Sequence, residues 1–429
     1  MDRTTLSRPP AEVLAGLDPA DADAAYGSLG LATLTDHALV SACAAVIDRP
    51  KAAPPDSFVL HAPLELMARA GLLARVAPEA RDGARRRLVW LGATYAAAGP
   101  SADEPAPPSV VGAVDAAARL AAAVSAGDLD TAGATARALA GLVGTDDLVA
   151  ALVDVVAPRL AAAAHGGIYL DQLRSFAGAP AAPGVANVAR ELARNPDWRL
   201  TWFEGRAAST DAPPRSTDAL VDALRRPTSP GPLDVNFIYP TMHLTESSGL
   251  AAEVLTPALA GVDRAAASRV LLRVAARSML QDDPAEAPYG WSHCLTMPHG
   301  LLSVADRSSR PDDVLAVAAT YVLGFRATQG SVDLDPSWAP AAPPMDTVAA
   351  LDGAPDLAAA GAWHAAASDR AQVAAVLAGR AAAHEDAHLA KYTLACLQLA
   401  DADPAFAHGY LAAAAFLGAW WRQADGQLT

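Results

Sequence analysis

The periodicity of apolar residues is the feature that most restricts how this chain can fold. Apolar residues recur at i, i+3, i+4 and i+7, the spacing that places them on one face of an α-helix. Alternating runs of β-branched residues, which indicate strands, are nearly absent. The sequence therefore predicts an all-α protein, a multi-helix bundle of roughly 15 helices. The clearest helical segments are residues 64–77, 84–97, 111–123, 129–142, 148–163, 251–260, 264–280, 313–325 and 381–400.

The composition is that of a folded chain with a large core. Of 429 residues, 52% are hydrophobic and only 18% are charged, and this excludes a disordered protein, which needs low hydrophobicity and high charge. We expect a single large helical domain over residues 1–429. Loops rich in Pro and Ser are expected at about 98–109, 205–234 and 335–344.

Charge and cysteine usage restrict the partners and the compartment. The net charge of -15 argues against a surface for nucleic acid or anionic lipid. The longest uncharged apolar runs, 314–325 and 411–421, are shorter than the roughly 20 residues of a membrane-spanning helix. Three cysteines without C-x-x-C spacing, and an N-terminus without a signal-peptide core, predict a cytoplasmic protein. The oligomeric state is left open.

Common cofactor and nucleophile motifs are missing from the sequence. The chain contains neither G-x-G-x-x-G nor G-x-x-x-x-G-K-[ST], so no flavin or nicotinamide site is expected. It also lacks the G-x-S-x-G turn of α/β-hydrolases. Any chemistry must therefore come from other side chains or from a metal.

Histidines in apolar helical surroundings are the main functional signal. His61, His243, His293 and His388 stand near the predicted starts of apolar helices in four separate regions. Burying a charged imidazolium in such surroundings costs free energy, whereas a neutral imidazole that binds a metal can be buried there. Each of them alone is more often a hydrogen-bonded core residue. Together they favour a metal centre assembled from several helices in the core.

Lys391 is the second unusual residue. Among 32 basic residues, only Lys51 and Lys391 are lysines, and the neighbours of Lys391 are mostly apolar. A buried ammonium must lose its charge or find a partner. Beside a metal, the lysine could be neutral, paired with a carboxylate, or carbamylated, which would make it an anionic oxygen ligand. The alternative is a lysine at a helix edge whose ammonium reaches water.

The string from His384 to His388 also satisfies H-E-x-x-H. On a helix this spacing supplies two zinc ligands, and Glu385 would be the general base of a hydrolase. His408 would be a third ligand, although a lysine at 391 would place a cation one turn away. Glu385 and His388 also form half of a di-iron motif, which is disfavoured because no second copy is present.

A non-enzymatic scaffold is the remaining alternative. An α-solenoid would also be built from amphipathic helices, and it would need neither a metal nor a closed pocket. The sequence shows no repeat of fixed period, which counts against this interpretation.

Four short blocks, in order along the chain, resemble those of the questin oxidase-like family. The last is Asp386-x-His388-x-x-Lys391, followed by an apolar helix. The earlier blocks are His61 with Glu65 and Ala-Gly-Leu at 70–72, Pro240-x-x-His243-Leu244, and His293-x-x-Thr296. These short blocks are spread over most of the chain.

The resemblance implies a non-heme metal-dependent oxygenase that opens or rearranges aromatic polyketide rings in natural product biosynthesis. It implies that His61, His243, His293 and His388 are metal ligands, with Lys391 at or beside the metal. The expected cofactor is Fe(II), with Zn as the alternative, and the expected partners are a small aromatic substrate and O2. Glu246, His299 and His384 are candidates for acid–base groups or for partners of the ligands.

Overall fold

The computed structural model describes residues 8–103, 105–106, 108–205, 215–226, 228–233 and 237–427. It is 70% helical, with 20 α-helices and no strand in the described residues, which confirms the all-α prediction. Three short helices of six to eight residues, which periodicity detects poorly, account for part of the excess over 15. The helices are α1 (Pro10–Ala15), α2 (Ala22–Ser28), α3 (Asp36–Ile47), α4 (Ser57–Leu73), α5 (Arg81–Ala97), α6 (Ala113–Ala126), α7 (Leu129–Leu142), α8 (Thr145–Val156), α9 (Gly166–Ser175), α10 (Val185–Arg194), α11 (Asp218–Arg225), α12 (Ile238–Ser247), α13 (Leu250–Leu259), α14 (Arg264–Gln281), α15 (Ser292–Leu302), α16 (Pro311–Gln329), α17 (Pro355–His364), α18 (Arg370–Ala383), α19 (Ala387–Ala402) and α20 (Ala407–Ala424).

Several helix starts follow directly from side-chain capping. The carboxylate of Asp128 accepts a hydrogen bond from the Thr131 backbone N–H at 3.0 Å, and α7 begins at the next residue. Asp263 does the same for α14 through the Ala266 N–H at 2.8 Å. Such caps satisfy N–H groups that have no partner within the helix.

One predicted helix is interrupted. The sequence predicts a continuous helix over 381–400, but α18 ends at Ala383 and α19 begins at Ala387. The three linking residues, 384–386, contain the first two positions of the H-E-x-x-H string. The predicted loop at 205–234 contains α11 and also spans 206–214, 227 and 234, which lie outside the described residues.

The backbone contacts divide the chain into two compact units. Unit 1 comprises Met1–Val156, Tyr169–Asp197 and Ala378–Lys391; in it, α4 packs on α3 and α5, and α10 packs on α6 and α7. Unit 2 comprises Ala157–Ile168, Trp198–Leu377 and Tyr392–Thr429; in it, α17 and α14 pack on α20, and α15 packs on α16. The single-domain interpretation stays a prediction.

Alanine and leucine make up most of the buried core, and small side chains let helices pack closely. The buried polar residues are few and include several histidines, Lys391 and the fully buried Arg69 and Arg326. Among the helices that the structure describes, none has both the length and the apolarity needed to cross a bilayer.

Candidate metal centre

Four buried histidines come together in the structure: His61, His165, His293 and His388. Each contributes one ring nitrogen, and these four atoms all lie within 4.8 Å of one another. The rings of His61 and His388 meet edge to face with centroids 4.7 Å apart, and those of His165 and His293 do so at 5.1 Å. This group, called the four-histidine cluster below, could hold a metal ion.

Each ring of the four-histidine cluster has its Nδ1 atom against a nearby acceptor. A ring nitrogen that donates to a carbonyl or carboxylate oxygen carries the proton, so the lone pair of the neutral ring is then on Nε2. Metal-ligating histidines are usually oriented in this way by their second nitrogen. The acceptors are the Ser57 carbonyl for His61 (2.6 Å), the Ala163 carbonyl for His165 (2.7 Å), the Tyr289 carbonyl for His293, and the Asp386 carboxylate for His388 (3.2 Å).

The closest approach within the cluster is between two Nε2 atoms, those of His165 and His293, at 3.3 Å. With both Nδ1 atoms donating to carbonyls, both Nε2 atoms present lone pairs to each other. Two facing lone pairs at this distance repel unless a proton or a metal ion lies between them. The arrangement is therefore suited to binding a cation.

His388 is positioned by the residue that starts its helix. The Asp386 carboxylate accepts from the backbone N–H of His388 at 2.7 Å and of Leu389 at 3.3 Å, and so caps α19. The same carboxylate lies against the His388 ring. One side chain thus sets both where the helix begins and how the imidazole is turned. Asp386 is therefore a positioning residue of the cluster.

His165 was not among the ligands predicted from the sequence, and an unusual backbone turn presents it. Ala162, Ala163 and Ala164 all have positive φ, between 48° and 54°. Left-handed backbone costs an L-residue roughly 1–2 kcal/mol, and such strain often marks functional sites. His165 follows this turn directly and precedes α9. The apolar pattern predicts a helix over 148–163, but α8 already ends at Val156, so the turn that presents His165 is not visible in that pattern.

Glycines allow the start of α9 to lie against α15. A Cβ atom on Gly167 would come within 2.7 Å of the Leu301 side chain, and one on Gly300 within 2.6 Å of the Gly167 backbone. Only glycine permits backbones to approach this closely. The Gly166–Gly167 pair directly after His165 is the sequence signal that would have pointed to this residue.

His293 lies near the start of α15, after a wide turn of π-helix over Ala287–Trp291. Short π-helical segments are frequent at functional sites. The helix α15 starts directly after this turn, at Ser292, and contains Pro298. The π-helical turn brings the Tyr289 carbonyl within reach of the His293 ring.

Lys391 lies one turn after His388 on α19 and is only 2% exposed. Its Nζ atom has no hydrogen-bond partner among the described residues. Burial lowers the pKa of Lys391 to about 7, against the opposing effect of the Asp386 and Glu65 carboxylates. This degree of burial argues against a lysine whose ammonium reaches water.

The pKa of His388 is lowered well below its usual value, mainly by burial and to a smaller extent by the charge of Lys391. This favours the neutral ring that a metal needs.

The structure places His243 outside the four-histidine cluster. Its side chain is exposed on α12 and stacks on the Tyr239 ring, with centroids 5.4 Å apart. His165 takes the place that the sequence assigned to His243. The helix predicted near His243 is present, but it begins at Ile238, so His243 lies in the middle of α12 and on its exposed face.

The predicted acid–base candidates also lie outside the cluster. The Glu246 carboxylate accepts from the backbone N–H groups of Thr201 and Trp202 and so holds that segment. His299 is buried in α15, six residues after His293 and therefore about 240° further round the helix.

His384 does not form a zinc-protease motif with His388. It precedes α19, and its Nδ1 accepts from the Asp386 backbone N–H at 2.9 Å. The expectation that both histidines share one helix face is wrong, because the helix is interrupted between them. His408, the proposed third zinc ligand, packs against Trp363 with ring centroids 4.4 Å apart.

Comparisons with family models, with curated proteins and with solved structures return no match for this chain. The interpretation of the four-histidine cluster therefore depends on its own geometry. Four neutral imidazoles whose ring nitrogens lie within 4.8 Å of one another can bind a divalent transition metal.

Proposed function

We propose that the four-histidine cluster binds a divalent transition metal, Fe(II), and that the protein is a non-heme oxygenase. Its substrate would be a small aromatic or polyketide-derived metabolite. The observation that carries this proposal is the orientation of the four rings. Each Nδ1 has a local acceptor, and the four ligand atoms lie within 4.8 Å.

The separations suit one shared ion. Imidazole nitrogens bind such metals at about 2.1 Å, so two ligands across an ion are at most about 4.2 Å apart. The outer limit of 4.8 Å in the four-histidine cluster therefore requires only a small inward movement of the rings. Imidazole ligands suit iron, zinc, copper and nickel alike, so the donor set supports a metal without selecting iron.

The choice of iron and of oxygen chemistry comes from the questin oxidase-like resemblance. Bound there, non-heme iron would supply oxygen activation to an electron-rich ring, and this requires no flavin or nicotinamide. The chain would hold the metal through His61, His165, His293 and His388. Their burial would keep bulk water from the reacting atoms.

Lys391 would supply the negative charge that the four neutral imidazoles lack. Its amine nitrogen would bond to the carbon of CO2, forming a carbamate and releasing one proton to solvent. This reaction needs a neutral amine, and the lowered pKa of Lys391 favours that form. The Nζ atom has no hydrogen-bond partner in the described residues, so no such bond would be lost when the carbamate forms.

Elemental analysis of the purified protein tests the proposal. Near-stoichiometric iron, with O2 consumption in the presence of phenolic or hydroquinone compounds, is the expected result. Stoichiometric zinc without O2 consumption would favour a hydrolase. A protein that takes up neither metal under anaerobic loading would contradict the metal site itself and leave the helical scaffold.

A further inference from the structure

We infer that three buried charged residues, Glu65, Arg69 and Arg87, form a positioning device that holds His388 beside His61. This Glu65–Arg69–Arg87 cluster contains no metal ligand. The inference rests on the metal site proposed above, and it names residues that act on that site without touching the ion.

Arg69 is fully buried and bonds to two parts of the chain at once. Its Nε donates to the Glu65 carboxylate at 2.8 Å. Its two Nη atoms donate to the backbone carbonyls of Ala382 at 2.6 Å and His384 at 2.7 Å. These carbonyls belong to the end of α18, where the last turn of a helix leaves acceptors without intrahelical partners. Arg69 therefore fixes where α18 ends.

Arg87 holds the next carbonyl along the chain. Its Nη2 donates to the Glu385 carbonyl at 2.6 Å, and its Nε lies 3.5 Å from the Glu65 carboxylate. The guanidinium is also 3.6 Å from the centre of the Trp90 ring, which favours a cation over its face. Two arginines thus hold the consecutive carbonyls of residues 384 and 385.

These contacts lead directly to the two ligands. Residue 385 is followed by Asp386, whose carboxylate caps α19 and lies against the His388 ring. At the other end, Glu65 lies one turn after His61 on α4 and therefore on the same helix face. The cluster thus connects the helix that carries His61 to the link that begins the helix of His388.

Energetics favour a positioning role over a purely stabilising one. Removing charges from water offsets most of the attraction within a buried ion pair, so well-packed apolar residues in the same place are often as stable. The two arginines nevertheless bond the carbonyls of residues 382, 384 and 385, and such directional contacts fix a backbone path, which apolar residues cannot do. Removing one partner of a buried ion pair also costs stability, so we expect each variant to alter metal binding beyond what its loss of stability explains.

The test compares buried arginines in the metal-loaded full-length protein. Arg69→Met and Arg87→Met remove contacts to the link, whereas Arg85→Met is the matched control. Arg85 is also buried, bonds Asp36 and donates to the Leu34 carbonyl, but in the described structure it makes no hydrogen bond or ion pair with 381–388. Metal release into excess chelator is followed over time, together with the visible spectrum of the Co(II)-loaded proteins and the melting temperature.

We expect Arg69→Met and Arg87→Met to release metal at least about tenfold faster, the usual effect of losing a residue that orients a ligand. Their Co(II) spectra should shift, whereas Arg85→Met should keep the wild-type rate and spectrum even if its melting temperature falls. Arg87→Lys, which keeps a donor for the Glu385 carbonyl, should restore slow release.

Equal acceleration in Arg85→Met and Arg69→Met would overturn the inference, since the effect would then follow stability alone. Unchanged release in Arg87→Met would also overturn it, and this variant is decisive if Arg69→Met does not fold. A wild-type protein that binds no metal would instead contradict the proposed function, so the two failures are distinguishable.

Discussion

The Nε2 atoms of His165 and His293 lie 3.3 Å apart, while the Nδ1 atom of each ring faces a backbone carbonyl oxygen. Two neutral rings with the proton on Nδ1 cannot donate to each other through Nε2. The pair is therefore suited to sharing a cation, either a proton or a metal ion. The strained turn of Ala162–Ala164 and the close approach of Gly167 to Leu301 hold the pair together.

Replacing His165 with alanine should therefore weaken metal binding by at least about tenfold, because one of four nitrogen ligands is lost. His243→Ala is the matched control, since His243 is exposed and stands outside the four-histidine cluster. The measurement is the metal content of both variants after anaerobic loading and desalting. If His243→Ala lost the metal and His165→Ala kept it, the ligand set proposed from the structure would be wrong.

Three members of the four-histidine cluster could be predicted from the sequence. His61, His293 and His388 lie in apolar helices, and periodicity finds such helices well. His165 could not be found in this way, because it follows three alanines in left-handed backbone. Alanine is a strong helix former, so the local sequence indicates a helix where packing imposes a turn.

Where the sequence does not reveal His165 as a ligand, the H-E-x-x-H string suggests a zinc motif that the structure does not form. Its spacing matches a zinc motif only if residues 384–388 are helical. Tertiary contacts end α18 at Ala383, where Arg69 binds the carbonyls of Ala382 and His384. No local pattern signals a break that depends on an arginine more than 300 residues earlier in the chain.

His384→Ala and Glu385→Ala should consequently keep the metal. His384 accepts a backbone hydrogen bond within the link, and the side chain of Glu385 is exposed. We expect His384→Ala to loosen the link and weaken metal binding slightly, and Glu385→Ala to have no effect. Chelator competition with the loaded proteins measures both. Retained zinc with a complete loss of ester or peptide hydrolysis in Glu385→Ala would favour the hydrolase, because Glu385 would then be its general base.

Gly300→Ala should weaken both the fold and the metal site. The added Cβ would lie 2.6 Å from the Gly167 backbone, and overpacking of this kind typically costs about 1–3 kcal/mol. Separating α15 from the start of α9 would also move His293 away from His165. Urea unfolding and metal titration provide the two measurements.

Gly141→Ala is the control for that variant. Gly141 is helical in α7, and a Cβ there would have no neighbour within 4 Å, so we expect a gain of roughly 0.5–1 kcal/mol from helix propensity. An unaltered metal affinity in Gly300→Ala would show that the close approach of the two segments does not set the distance between the histidines.

Lys391 gives the clearest pH dependence. In the folded metal-free protein, burial lowers its pKa to about 7, whereas the ordinary value is 10.5. Between these values the unfolded chain binds a proton that the folded chain lacks. The free energy of unfolding therefore rises with pH across this window, by at most about 1.4 kcal/mol per pH unit.

Lys391→Met removes the titrating group, so its advantage in stability over the wild type should be greatest at pH 7 and below and should shrink towards pH 9. Urea unfolding of both metal-free proteins in CO2-free buffer measures the difference. Lys51→Met is the control. Burial lowers the pKa of Lys51 as well, but Lys51 is half-buried and its Nζ donates to the carbonyls of Ala96 and Gly99, so its pH dependence should be smaller than that of Lys391→Met. A difference between Lys391→Met and wild type that stays constant with pH would show that Lys391 is not held in its neutral form.

In 13C-bicarbonate at pH 8, the metal-loaded wild type should give a protein-bound carbamate carbon signal by NMR that Lys391→Met lacks.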